Sequence, residues 1–213
     1  LEALGAAARM RAGARVVGIT GSVGKTSVKE GLALALGATA PTHATIGNLN
    51  NHFGVPLTLA RLPRDARYAV IEMGMSAAGE IRALTRQARP HVALITAIAA
   101  AHLEFFDSIA GIADAKAEIF EGVEPGGVAW VPADSPFRDQ LIARARAAGA
   151  TDIRRFGAAA DAEARLIERR PTPTGARLVV EIEGRRIALE IGQTGAPMAV
   201  NAVAVLAAAA SLG

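Results

Sequence analysis

Residues 15–27 read RVVGITGSVGKTS, and this stretch decides the fold. Residues 15–20 are an apolar run of strand length, residues 21–25 are a glycine-rich turn, and residues 26–36 carry helical spacing. A buried strand that passes through glycines into a helix makes a cradle for phosphate. Glycine lets successive backbone N–H groups turn toward one point, and the helix N-terminus adds partial positive charge there. Lys25 has the reach for terminal phosphates, and the Thr26 hydroxyl suits Mg²⁺. The predicted nucleotide-binding set is Gly21, Ser22, Val23, Gly24, Lys25, Thr26 and Ser27. The match is to the short form T-G-x-x-G-K-T. The longer form wants a glycine where Ile19 stands.

Outward from this loop the same alternation continues. Residues 68–73 (YAVIEM), 91–96 (HVALIT) and 127–131 (GVAWV) are further apolar runs of strand length. Helical patterns lie at 79–87, 108–121 and 137–148. Continuous apolar strands separated by helices predict an α/β fold with a mostly parallel sheet covered by helices on both faces. The pattern changes after Asp152. Residues 164–170 and 177–183 alternate with period two around the turn at 171–175, and Glu183-Gly184 precedes a third run at 185–191. These predict an antiparallel meander at one edge of the sheet. An Ala-rich helix is expected over 201–212.

Composition bounds the function. The 213 residues suffice for one sizeable core. With no cysteine, disulfides and thiolate metal sites are excluded, which suits a reducing cytoplasm. A net charge of +3 and few aromatics leave no nucleic-acid footprint. No apolar run is long enough to span a membrane. The chain opens on Leu1 rather than Met. Residues 1–14 therefore read as a helix and linker left from a missing upstream domain, residues 15–213 as one nucleotide-binding domain, and a further domain is expected downstream.

Three more residues stand out. Glu72 ends the 68–73 strand, and open parallel sheets bind ligands outside the carboxyl ends of their strands. A carboxylate there is a natural Mg²⁺ ligand. His102 follows the end of another strand, in the loop before a helix. Lys116 lies on the apolar stripe of the helix that Ser108 is placed to cap, together with Ile109, Ile112, Ala113, Ile119, Phe120 and Val123. A lysine on such a stripe must snorkel, pair with an anion or change its chemistry.

Residues 20–27, together with 47–51 (GNLNN), 54–59 (GVPLTL), 71–74 (IEMG), 101–104 (AHLE) and 115–122 (AKAEIFEG), resemble the Mur ligases. They are most similar to the branch that joins D-alanyl-D-alanine to UDP-N-acetylmuramoyl-tripeptide. The resemblance covers nearly the whole chain. It implies the central ATP-binding domain of a three-domain peptidoglycan-precursor ligase that works through an acyl phosphate. ATP and Mg²⁺ are the implied cofactors, and the enzyme is expected to be a cytoplasmic monomer. Lys25, His102 and Lys116 become catalytic. Thr26 and Glu72 would hold one Mg²⁺, His102 and Lys116 a second, with Lys116 carbamoylated. Asn48 and Asn51 resemble the family's asparagine-rich nucleotide and substrate loop.

The chain departs from the family near its end. The pattern Gly-x-His-Asn-x-x-Asn-Ala is represented by Gly195 to Ala202 with Pro197 and Met198 in place of the His and Asn. Asn201 remains, either as an adenine or ribose contact or as a helix cap. Two other readings stand beside the first. One is a sibling ligase or a folylpolyglutamate-type synthetase, since amine specificity lies mostly outside this chain. The other is a non-catalytic nucleotide-binding module.

Overall fold

The computed structural model describes residues 1–100 and 106–213. In chain order it contains α1 (Glu2–Arg11), β1 (Arg15–Thr20), α2 (Lys25–Gly37), β2 (Thr42–Ala44), α3 (Gly54–Ala60), β3 (Tyr68–Glu72), α4 (Glu80–Ala88) and β4 (Val92–Ile95). There follow α5 (Ile109–Ala117), β5 (Val128–Pro132), α6 (Arg138–Ala147), β6 (Asp152–Gly157), β7 (Ala164–Thr172), β8 (Gly175–Ile182), β9 (Arg185–Ile191) and α7 (Ala196–Ala210). Among the described residues the strands form one 9-stranded sheet in the order β2-β3-β1-β4-β5-β6-β7-β8-β9. Pairing is parallel from β2 through β7 and antiparallel across β7-β8-β9. The predicted α/β class and the edge meander are both present.

The continuous apolar runs are explained by burial on two faces. Side chains of a strand alternate between faces, and here each face meets helices. Val16, Ile71, Ala93, Ile95 and Val131 pack with Val55, Ile81, Ile112 and Leu141 from α3, α4, α5 and α6. Val17, Ile19, Val70, Leu94 and Trp130 pack with Val28, Leu32 and Leu36 of α2 and with Val203 of α7. Burying each such Val, Leu or Ile contributes roughly 1.5–3 kcal/mol, so a polar residue in either register would be costly.

Strand order also fixes where a ligand can enter. From β1 the chain goes out to β2 at the far edge and returns to β3 beside β1. It then crosses to β4 on the other side of β1. The connections leaving β1 and β4 thus diverge, opening a crevice at their carboxyl ends, the usual ligand position in open parallel sheets.

Several elements differ from the sequence expectation. β6 was not anticipated, because its sequence DIRRFG places two arginines mid-strand. Their charges are met by carboxylates mostly from outside the strand. Arg154 pairs with Asp152 and Glu183 and lies over the Trp130 ring, while Arg155 pairs with Asp161 and Glu163. β2 and α3 are short elements whose formation depends on packing. α7 begins five residues before the predicted 201, because Pro197 sits in its first turn, where a missing N–H costs nothing. Asn201 therefore lies inside the helix, and Gly195 rather than Asn201 occupies the cap position. Ser108 does cap α5, accepting from the Gly111 N–H at 3.1 Å. That helix stops at Ala117 and continues as a 3₁₀ turn over Glu118–Gly122. Residues 1–14 are folded onto the domain. Ala8 and Ala12 are buried, and Arg9 donates to the carbonyls of Ala88 and Arg89 at the end of α4.

Candidate functional site

The loop between β1 and α2 is shaped by two glycines. Gly24 has φ +87°, and a β-carbon there would meet the Asn201 side-chain oxygen at 2.8 Å. At Gly21, φ is +150°, and a β-carbon would collide with the Thr96 hydroxyl. The end of β4 clamps the loop. Thr96 Oγ1 donates to the Val23 carbonyl at 2.6 Å, the Ser22 N–H donates to Ala97 O at 2.7 Å, and Ser22 Oγ donates to Ala99 O at 3.0 Å. The loop is thus held before any ligand arrives, which reduces the ordering cost of binding.

Three predicted residues, Lys25, Thr26 and Glu72, come together beneath it. Lys25 Nζ donates to Gly21 O at 2.7 Å. Burial lowers the Lys25 pKa, and the Glu72 charge opposes that effect. Thr26 Oγ1 donates to Glu72 Oε2 at 3.2 Å, while Asn50 Nδ2 donates to Glu72 Oε1 at 2.8 Å. Glu72 is 1% exposed. Its backbone N–H donates to Thr45 Oγ1 at 3.0 Å, which anchors the strand end. Each carboxylate oxygen meets one neutral donor, so lone pairs remain for a cation. A hydroxyl and a carboxylate side by side at the mouth of a phosphate cradle fit a hard divalent cation whose other ligands are phosphate oxygens and water. Among the described residues no group of three or more His, Asp or Glu could hold a metal ion by itself. A donor set of one hydroxyl and one carboxylate suits Mg²⁺ delivered with a nucleotide.

Lys116, on α5, is close enough to Lys25 to feel its charge. It is 2% exposed, and its pKa falls to about 7, first because burial disfavours the ammonium and second because the Lys25 charge repels it. Burial thus makes the neutral amine accessible near neutral pH. The segment after it is built to hold it. The Glu118 carboxylate accepts from the Gly79 N–H at 2.8 Å and the Arg82 N–H at 3.1 Å, capping α4 from outside that helix. Thr85 Oγ1 donates to Ile119 O at 2.7 Å, and a β-carbon on Gly122 would stand 2.3 Å from Thr85 O. Much of the 115–122 motif is therefore a packing platform on α4.

The remaining predicted residues separate. Asn51 Oδ1 accepts from the Phe53 and Gly54 N–H groups and starts α3. Asn48 is exposed. Between them, Asn50 is the asparagine that reaches Glu72; three asparagines in five residues flagged the loop, but only its folded path selects the middle one. His102 lies outside the described residues. Asn201 borders a cleft of about 510 Å³ that runs from Val23, Gly24 and Ser27 past Ile98 and Asp134 to Pro197 and Met198. That volume is within the range of small-molecule sites.

Comparison with known proteins identifies the family. Residues 19–209 match the Mur ligase middle domain model. UDP-N-acetylmuramoyl-tripeptide–D-alanyl-D-alanine ligase of Escherichia coli (strain K12) is 51% identical over 132 residues, which are 62% of this chain and 29% of that protein. The crystal structure of MurF from Acinetobacter baumannii superposes with a TM-score of 0.94 at 35% identity, covering 100% of this chain and 46% of the other. MurF ligase from Thermotoga maritima, solved in complex with ADP, gives a TM-score of 0.82 at 26% identity, covering 96% and 48%. The chain thus spans less than half the length of these relatives. With a family model that matches residues 19–209, the chain belongs to the Mur ligase middle-domain family.

Proposed function

We propose that this chain is the ATP-binding domain of a ligase that joins D-alanyl-D-alanine to UDP-N-acetylmuramoyl-tripeptide in the cytoplasm. The observation that carries this reading is the meeting of Lys25, Thr26 and Glu72 at the carboxyl ends of β1 and β3, with the buried Lys116 of α5 close enough to Lys25 to feel its charge. The similarity to the D-alanyl-D-alanine ligase of Escherichia coli supports the choice of substrates. Residues 15–213 act as the central unit of a longer enzyme, between a domain for the UDP-sugar and a domain for the amine. The domain by itself is expected to turn over poorly.

When bound, ATP supplies the phosphoryl group that would activate the tripeptide carboxylate as an acyl phosphate; the dipeptide amine would then attack the acyl carbon, form the amide with loss of a proton, and expel phosphate. The chain's residues position and neutralise charge, as phosphoryl transfer requires. Lys25 and the loop N–H groups hold the terminal phosphates. Thr26 and Glu72 hold Mg²⁺. Asn201 and the apolar wall of Pro197 and Met198 take the nucleoside side. Lys116, once its neutral amine adds to CO₂ and loses a proton, would with His102 hold a second metal. The resulting carbamate replaces a cation with an anionic oxygen ligand. Burial supports this step because it keeps the amine neutral.

The test is phosphate release by the intact protein with ATP, Mg²⁺, the UDP-muramoyl tripeptide and D-alanyl-D-alanine. Release that requires both tripeptide and dipeptide is expected. Release with a single amino acid instead moves the protein to a sibling branch, and silence with every amine leaves a nucleotide-binding module. Lys25→Ala should abolish Mg²⁺-dependent ATP binding. Lys116→Ala should cripple ligation, with partial recovery on adding a short carboxylic acid.

A further inference from the structure

Lys29 is a fully buried lysine, 0% exposed, that none of the proposed catalytic roles uses. It follows Thr26 by three residues, so both project from the same side of α2. Burying an ammonium is expensive unless its donors are engaged. Lys29 Nζ meets Glu30 Oε1 at 2.7 Å and donates to the Gly47 carbonyl at 3.2 Å. Glu30 is mostly exposed, so screening weakens that pair. The contact with Gly47 reaches a different part of the molecule, the loop over residues 46–51.

That loop has little apolar anchorage. Ile46 is 63% exposed, and Phe53 just beyond the loop is 65% exposed. Gly47 takes φ +56°. Polar ties hold it instead. The Gly74 N–H donates to Asn50 O at 2.7 Å, the Asn50 N–H donates to Asn48 O at 2.7 Å, and Asn50 Nδ2 donates to Glu72 Oε1. A closed circuit results. Thr26 grips one oxygen of Glu72, Asn50 grips the other, and the loop carrying Asn50 is fastened by Lys29 to the helix that carries Thr26.

We propose that Lys29 and Asn50 are positioning residues that together fix the orientation of the Glu72 carboxylate for a divalent cation bound with a nucleotide. This rests on the proposed role of Glu72 as a Mg²⁺ ligand. Neither residue needs to touch the metal. Removing the Lys29 donor frees the loop, Asn50 loosens, and Glu72 gains a rotational freedom that cation binding must then remove. Outer partners of metal ligands typically change metal affinity by about 10–100-fold.

The experiment uses the intact protein and a fluorescent ATP analogue, with binding followed as Mg²⁺ is titrated and again in EDTA. Lys29→Met keeps the apolar stem and removes the donors. It should raise the Mg²⁺ midpoint about 10-fold while affinity in EDTA stays within about 2-fold of the parent. Asn50→Ala, in a surface loop and able to report even if Lys29→Met does not fold, should shift the midpoint in the same direction. The double variant should shift little further than the larger single one, because both act through one carboxylate. Glu30→Gln should behave as the parent. An unchanged Mg²⁺ midpoint in Lys29→Met or in Asn50→Ala overturns the proposal, as does an equal loss of affinity with and without Mg²⁺. A parent protein without any Mg²⁺ dependence overturns the metal-ligand reading of Glu72 itself, a result distinct from a responsive parent matched by its variants.

Discussion

Glu118 offers the sharpest test of how the site is supported. Its carboxylate is 4% exposed and caps α4, whose own cap residue is Gly79 and brings no side chain. It accepts from the Gly79 N–H at 2.8 and 3.0 Å and from the Arg82 N–H at 3.1 Å. Glu118→Ala leaves these helix N-terminal donors without their acceptor. Hydrogen bonds to a charged group contribute about 1.5–3 kcal/mol, and the buried methylene lost with them about 0.8 kcal/mol. The contact between Arg82 and Glu118 at 3.4 Å adds little, because Arg82 is 38% exposed and keeps Glu121. The total is about 3 kcal/mol. For a domain of this length, each kcal/mol lowers Tm by about 2–4 °C, so the loss should be roughly 6–12 °C. Glu118→Gln keeps a neutral acceptor and should lose about half as much. Thermal unfolding by circular dichroism reads both. A Glu118→Ala shift below about 2 °C, or a Gln variant as unstable as the Ala variant, would refute the capping argument.

Three further outcomes are expected. Gly24→Ala forces a side chain into a left-handed conformation and against the Asn201 amide; at about 1–2 kcal/mol of strain, calorimetry should show ATP affinity falling about 10-fold. Gly122→Ala drives a β-carbon into the Thr85 backbone and should cost about 2–3 kcal/mol in chemical denaturation, whereas Gly192→Ala, with open space around it, should be neutral within about 0.5 kcal/mol. Lys116 falls to about 7 on folding from an ordinary 10.5, so between those values the unfolded chain holds more protons and stability rises with pH. In CO₂-free buffer, the stability advantage of Lys116→Met over the parent should be greatest below pH 7 and shrink as pH climbs toward 10.5; an advantage that grows with pH would contradict the burial of this amine.

Local sequence was sufficient wherever one residue pattern has one stable solution. Residues 15–27 determined the strand, glycine turn and helix, because a phosphate cradle needs each of them in that order. The apolar runs determined β3, β4 and β5, since only strands covered on both faces are apolar at every position. Lys116 was conspicuous from its place on an apolar stripe. Lys29 carried the same signal, falling in register with the buried Leu32 and Leu36, and was legible by the same rule. Tertiary structure decided what depends on distant partners. β6 exists because carboxylates from other segments and the Trp130 ring neutralise and cover its arginines. Asn50 rather than Asn48 or Asn51 reaches Glu72 because the loop path is set by Gly74 and Lys29, 24 and 21 residues away in the chain. Residue spacing encodes which face of an element is buried, but not which side chain from another element arrives there, and that arrival is what turns a buried carboxylate into a candidate metal ligand.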